Sequence, residues 1–158
     1  MNKSLIIVSF AILLAIVLAF LGQLIDNQCG KTNEQLPVEG SVVTSRGDEI
    51  AIRVADSGCE RELGLSGFPG LSMDEGMLFV FDHDDKHGFW MKDMQFSIDI
   101  VWITSDGIVT DTVTLSPETY PTVVLPHEPV RYALELPAHS AVRYDIHSSS
   151  ILKFNFNK

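Results

Sequence analysis

The sequence predicts a mainly β domain, a single β-sandwich or flattened barrel with one short helix, preceded by an N-terminal transmembrane helix. Short apolar runs separated by turn signals recur from Ser41 to Phe156, the pattern of an all-β sandwich or barrel rather than of βαβ units. Only Gly58–Leu65 carries a convincing helix-start signal. Leu5–Leu21 is uncharged and apolar; continued to Ile25, it meets the ~20 residues needed to cross a ~30 Å hydrocarbon core.

Lys3 and the N-terminal amine precede the apolar run, and Asp26 and Glu34 follow it. The positive-inside rule then places the N-terminus in the cytoplasm and the remaining chain outside. A cleaved signal peptide competes, but its apolar core is only ~7–15 residues and ends in small residues. Here the run is longer, and Phe20-Leu-Gly-Gln23 offers no good small-x-small pair. A lipoprotein would want small residues before its cysteine, whereas Cys29 follows Asp26-Asn27-Gln28. The expected organisation is an anchor over residues 1–25, a polar linker over 26–40 and a β-domain over 41–158. The expected location is the cell membrane, single-pass, with the C-terminal domain extracytoplasmic.

Within the domain, Ser41–Thr44 and Ile50–Val54 flank Arg46-Gly-Asp-Glu49, a hairpin signal. Ser57-Gly-Cys-Glu60 fits a capping box opening the helix, and Gly64, Gly67, Pro69 and Gly70 stop it. Met77–Phe81 is apolar on both faces and reads as a central strand. Phe89–Met94 and Ser97–Ile103 read as one long extended stretch, and Asp106-Gly107 turns the chain into Ile108–Leu115. Ser116–Pro129 holds four prolines and reads as an ordered loop. Val130–Leu136 alternates, with Arg131, Ala133 and Glu135 facing away from its larger apolar residues, and Ile151–Phe156 closes the domain.

Composition narrows the function classes. The chain has 158 residues, 46% hydrophobic and 20% charged, with a net charge of −10 and basic residues spread singly. Nucleic acid and anionic lipid headgroups are therefore repelled rather than held. Cys29 and Cys59 are its two cysteines. Outside the cytoplasm they can tie the linker to the domain as a disulfide; two unrelated residues is the open alternative, since sequence does not place their Cα atoms. A catalytic Cys59 lacks a resolving cysteine or a histidine close in sequence.

The order of motifs resembles the family known as domain of unknown function 192, DUF192. Glu60-Arg61-x-x-Gly64-Leu65, Gly76-Met-Leu-Phe-x-Phe81, Phe89-Trp-Met-Lys92, Asp99-Ile100, Asp106-Gly107 and Leu134-Glu-x-Pro-Ala138 carry it. The resemblance covers about residues 41 to 156 and implies a mainly β, sandwich-like single domain, often exported or membrane-tethered, with no established activity to carry over. Three places depart from the family pattern. Ser66 and Phe68 stand where a Met and a basic residue are usual. Ala138-His139 stands where Ala-Gly is usual, and Ser149-Ser150 where Gly-Asp is usual.

Asp99 lies on an almost wholly apolar strand and, if buried and ionised, needs a partner, for which Arg61 and Lys92 are the candidates. Glu135 is a second isolated carboxylate. Arg61, Trp90, Lys92, Asp99 and Glu135 form the candidate binding pocket, with a set of structural ion pairs as the bland alternative. Trp90 and Met91 are adjacent on an extended segment, so one faces core and the other outward. His83-Asp84-Asp85-Lys86-His87 and the methionines 73, 77, 91 and 94 are the candidate metal donors, against a solvated loop and core filler. No HExxH, Walker A, G-x-G-x-x-G or nucleophile-elbow pattern occurs. The expected function is a binding or accessory module of the cell envelope, with an unknown envelope ligand or protein as partner, no cofactor and no assigned catalytic residue. The alternatives are an enzyme using Asp99, Glu135 and Lys92, and an extracytoplasmic metal-handling protein.

Overall fold

A computed structural model of the chain describes residues 36–156. The expected anchor at 1–25 and most of the linker lie outside them. Among the described residues no helix is long and apolar enough to cross a membrane. The last part of the expected linker is held to the domain: the Arg53 guanidinium donates to the Leu36 carbonyl, and the Glu39 N–H to the Ile52 carbonyl at 2.9 Å.

The first hairpin forms as the Gly-Asp turn requires, joining β1 (Gly40–Val43) to β2 (Glu49–Ala55). Gly47, at φ 88°, supplies the left-handed turn residue. Helix α1 (Gly58–Leu63) then crosses to β3 (Glu75–Asp85), which pairs parallel to β2. After a loop come β4 (Ile98–Ile103), β5 (Val109–Leu115), a 3₁₀ turn at Pro117–Thr119, β6 (Val130–Pro137), a four-residue helix α2 (Ser140–Arg143) and β7 (Lys153–Phe156).

The strands make one sheet ordered β5-β4-β6-β3-β2-β1-β7. The sandwich expectation is corrected to this single sheet. Its two edge strands approach each other at the Ile108–Ile151 bridge, where Leu152 donates to Gly107 at 2.8 Å and Val109 to Ser150 at 2.9 Å. The sheet therefore curls toward closure, as a flattened barrel does.

Curling gives the sheet two apolar faces with different roles. The inner face packs Ile50, Ile52, Leu78, Val101, Ile103 and Leu134 against Tyr144 and Ile146 from the segment after β6. The outer face of the central strands carries Met77, Phe79, Ile98, Ile100 and Trp102, and is roofed by Leu65, Phe68, Phe89 and Met91. That double burial explains why β3 and β4 read as continuous apolar runs, with all six residues of β4 buried.

Three further expectations are corrected. Phe89–Met94 is not a strand: only Phe89 bridges, to Val124, and a turn with Asp93 at φ 58° follows. Helix α1 stops at Leu63, because Gly64 takes φ 49°. A second helix, α2, exists after β6. The departures from the usual glycines sit at strained positions, His139 at φ 70° and Ser149 at φ 74°.

Candidate functional site

The outer face is where a cavity forms. Ser57 caps α1, accepting from Glu60 N at 3.3 Å, while Glu60 Oε2 accepts from Ser57 N at 2.9 Å. The capping box fixes where the helix starts. Gly64 fixes where it ends, bringing backbone down onto the sheet. A Cβ at Gly64 would stand 3.2 Å from the Phe79 ring and 3.7 Å from Glu135 Oε2.

Beyond α1 the loop at residues 87–90 forms the other wall. Phe89 N donates to Val124 O at 2.9 Å, and Gly88 lets the Val123 side chain come close, 2.7 Å from where a Cβ would stand. Between α1, this loop and strands β3 and β6 lies a cavity of about 220 Å³. Its walls are aromatic: Phe79 and Phe89 meet edge to face at 5.0 Å, and Phe81 stacks on His87 at 3.6 Å. Trp90 stands at its border, 44% exposed, while neighbouring Met91 is buried, as the alternation of an extended segment requires.

Glu135 is the polar group in this apolar setting. It sits on β6 opposite Met77 of β3 and Ile100 of β4, and its residue is 4% exposed. Its Oε2 has no hydrogen-bond partner. Burial without compensation pushes its acid from the usual carboxylate range up to about 8. Most buried polar atoms are satisfied, so an unsatisfied carboxyl oxygen at a cavity marks a place where something else belongs.

Arg61, Trp90 and Glu135 of the expected pocket share this cavity. Asp99 does not line it: its side chain points to the inner face, where Oδ1 accepts from the Thr114 hydroxyl at 2.7 Å and Oδ2 from Ala141 N at 2.8 Å. The expected partnership of Asp99 with Arg61 or Lys92 is therefore corrected; a hydroxyl and a helix N–H serve instead. Lys92 is exposed, and its backbone carbonyl accepts from Ser66 Oγ at 2.8 Å. Arg61 is committed elsewhere, donating to Val80 O at 2.8 Å and to Asp56 O, facing Asp82 at 3.5 Å and lying 5.6 Å from the Phe81 ring centroid.

Phe79, Phe81, Phe89, His87 and Met94 also line the cavity. Strand parity was the available signal, since Phe79 and Phe81 share a face at spacing two. His83, Asp84 and Asp85 extend β3 rather than forming the expected loop; His87 Nε2 bonds the His83 carbonyl at 3.1 Å, and Arg131 pairs with Asp84 at 2.7 Å. Among the described residues no three His, Cys, Asp or Glu side chains converge as metal ligands. Met77 and Met91 are packed in the outer-face core. Cys59, on α1, is disulfide-bonded; the chain's other cysteine, Cys29, lies outside the described residues.

The profile of DUF192, described as "Uncharacterized ACR", matches residues 41–154, so the chain belongs to this family. No match is found among curated proteins. Two solved structures are similar. One, from Sinorhizobium meliloti, provisionally described as a transcription regulator, has 26% identity and a TM-score of 0.67, over 73% of this chain and 92% of that one. The other, a protein of unknown function from Novosphingobium aromaticivorans, has 22% identity and a TM-score of 0.64, over 73% of this chain and 83% of that one. The second supports the fold alone.

Proposed function

We propose that this member of the DUF192 family is a binding module that takes a small ligand in the cavity between α1, the 87–90 loop and Glu135. The observation that carries this is the unpartnered, buried Glu135 carboxyl oxygen facing an aromatic-walled cavity. Concave, mostly apolar sites with one or two placed polar groups are how proteins hold small molecules. A role outside the cytoplasm, tethered by residues 5–25, completes the proposal. The length of the apolar run and the preceding Lys3 support it, as does a disulfide at Cys59, a bond characteristic of oxidising compartments.

The enzyme alternative draws less support. Asp99 and Glu135 lie on opposite faces of the sheet, and Lys92 is outside the cavity, so these three do not converge. A nucleic-acid role like that suggested by the description of the Sinorhizobium protein sits poorly with a net charge of −10.

Fragment binding to the ¹⁵N-labelled full chain tests the proposal, with a panel of cationic, neutral and anionic fragments. Amide shifts clustered at residues 61–66 and 87–90, weakened by Trp90→Ala, are expected. A panel that leaves those amides unmoved would sink the binding reading.

A further inference from the structure

We propose that the cavity selects a small organic cation, an ammonium head that pairs with Glu135 while its carbon substituents lie against Phe79, Phe81, Phe89 and Trp90. The inference rests on the cavity being a ligand site and names its ligand class. Glu135 Oε2 needs a hydrogen-bond donor, and the protein supplies none. Its cross-strand neighbours are Met77 and Ile100, which have no donor to offer. An occupant that donates to the ionised carboxylate would satisfy it.

The walls favour the same charge. Aromatic faces are electronegative and attract cations, ammonium groups among them. Four aromatic side chains line this one small space. Apart from His87, the charged lining disfavours anions. No lysine lines the cavity, Glu62 adds a second carboxylate to the lining, and Arg61 is bound to Val80 O, Asp56 O and Asp82. At about 220 Å³ the cavity is smaller than the ~300–1,000 Å³ of drug-sized sites, which points to a compact amine.

Proton linkage makes the inference sharp. The titratable or charged groups facing Glu135 are few. Helix α1 contributes Arg61 and Glu62, and the loop contributes His87. The facing residues Met77 and Phe79 of β3 and Ile100 and Trp102 of β4 do not titrate in this range. One strand further, on β2, Arg53 is held by the Leu36 carbonyl, Glu75 and the Phe68 ring. Empty, the site holds a protonated carboxyl at pH 7, because burial pushes its acid to about 8. An ammonium ion binds the carboxylate, so the proton must leave as the cation enters. A neutral carbonyl ligand would instead accept that proton in a hydrogen bond, giving the opposite pH dependence.

The test is calorimetric titration of the full chain with benzylamine, benzyl alcohol and benzoate, in two buffers of different ionisation enthalpy. Benzylamine is expected to bind, release about one proton at pH 7 and tighten roughly tenfold per pH unit from pH 5.5 to 7.5. Glu135→Gln, which keeps the shape of the neutral acid, is expected to lose at least tenfold in affinity and the tenfold-per-unit rise with pH. Nα-acetyl-lysine amide binding as well as benzylamine would identify a lysine side chain, rather than a free amine, as an acceptable source of the cation. Preferred binding of benzyl alcohol or benzoate, with shifts at residues 61–66, would overturn the cation inference and leave the ligand site standing. Absence of any shift with the whole fragment panel would overturn both.

Discussion

Asp99 offers a sharp test of how the inner face is held together. It is 2% exposed, and its two oxygens accept from the Thr114 hydroxyl and from the first turn of α2. Alanine at this position strands the Ala141 N–H in the interior, while the hydroxyl of the exposed Thr114 can turn to water. An unmet buried donor costs about 1–3 kcal/mol, so Asp99→Ala is expected to cost roughly that much. Asparagine is the instructive contrast. Its carbonyl accepts from Ala141 N, and its amide donates to the Thr114 hydroxyl, which turns to accept. Only the charge is lost, and the cost falls to about 1 kcal/mol. Urea unfolding of the full chain and both variants, with m-values checked for constancy, measures the difference. Equal losses for Asp99→Ala and Asp99→Asn, or an alanine variant within about 0.5 kcal/mol of wild type, would refute the hydrogen-bond assignment. A double-mutant cycle with Arg61→Met should be additive within about 0.5 kcal/mol, because these residues do not touch; coupling well above that would restore the ion pair expected from sequence.

Three other outcomes follow from the same geometry. With the Glu135 acid raised to about 8, the folded protein keeps a proton that the unfolded chain releases near 4.5. Stability is therefore highest below about pH 4.5 for this group and falls as pH rises toward 8, by a few kcal/mol, a slope that Glu135→Gln should abolish in pH-dependent unfolding. His139→Gly should raise stability by up to ~1 kcal/mol by relieving a left-handed non-glycine residue at φ 70°, read as a higher melting temperature; a lower one would contradict the strain. Cys59 should resist a thiol reagent in the denatured full chain until reductant is added, and labelling without reductant would contradict its disulfide.

Much of the fold was legible because local signals agreed with the packing. The capping box at Ser57–Glu60, the Asp106-Gly107 turn and the doubly apolar β3 and β4 were each read from spacing alone. What escaped is set by long-range geometry. Strand order and the closing Ile108–Ile151 contact leave no local trace, so one curled sheet and a sandwich look alike in sequence. Phe89–Met94 resembled a strand by composition, but Asp93 takes a positive φ and the segment serves as roof. Helix α2, four residues long, is too short for periodicity to show. Asp99 and Glu135 both read as isolated carboxylates on apolar strands. Only the sheet shows that they lie on opposite faces, one satisfied and the other not.

The most direct measurement of the central claim is the titration of the Glu135 carboxyl itself, followed by its side-chain ¹³C shift in the folded full chain and assigned by Glu135→Gln. A buried carboxyl without a protein partner, facing the cavity, should titrate in one step near 8. A step at the ordinary glutamate value of about 4.3 would mean that the group is solvated or already partnered, and the cavity would lose the feature that marks it as a site.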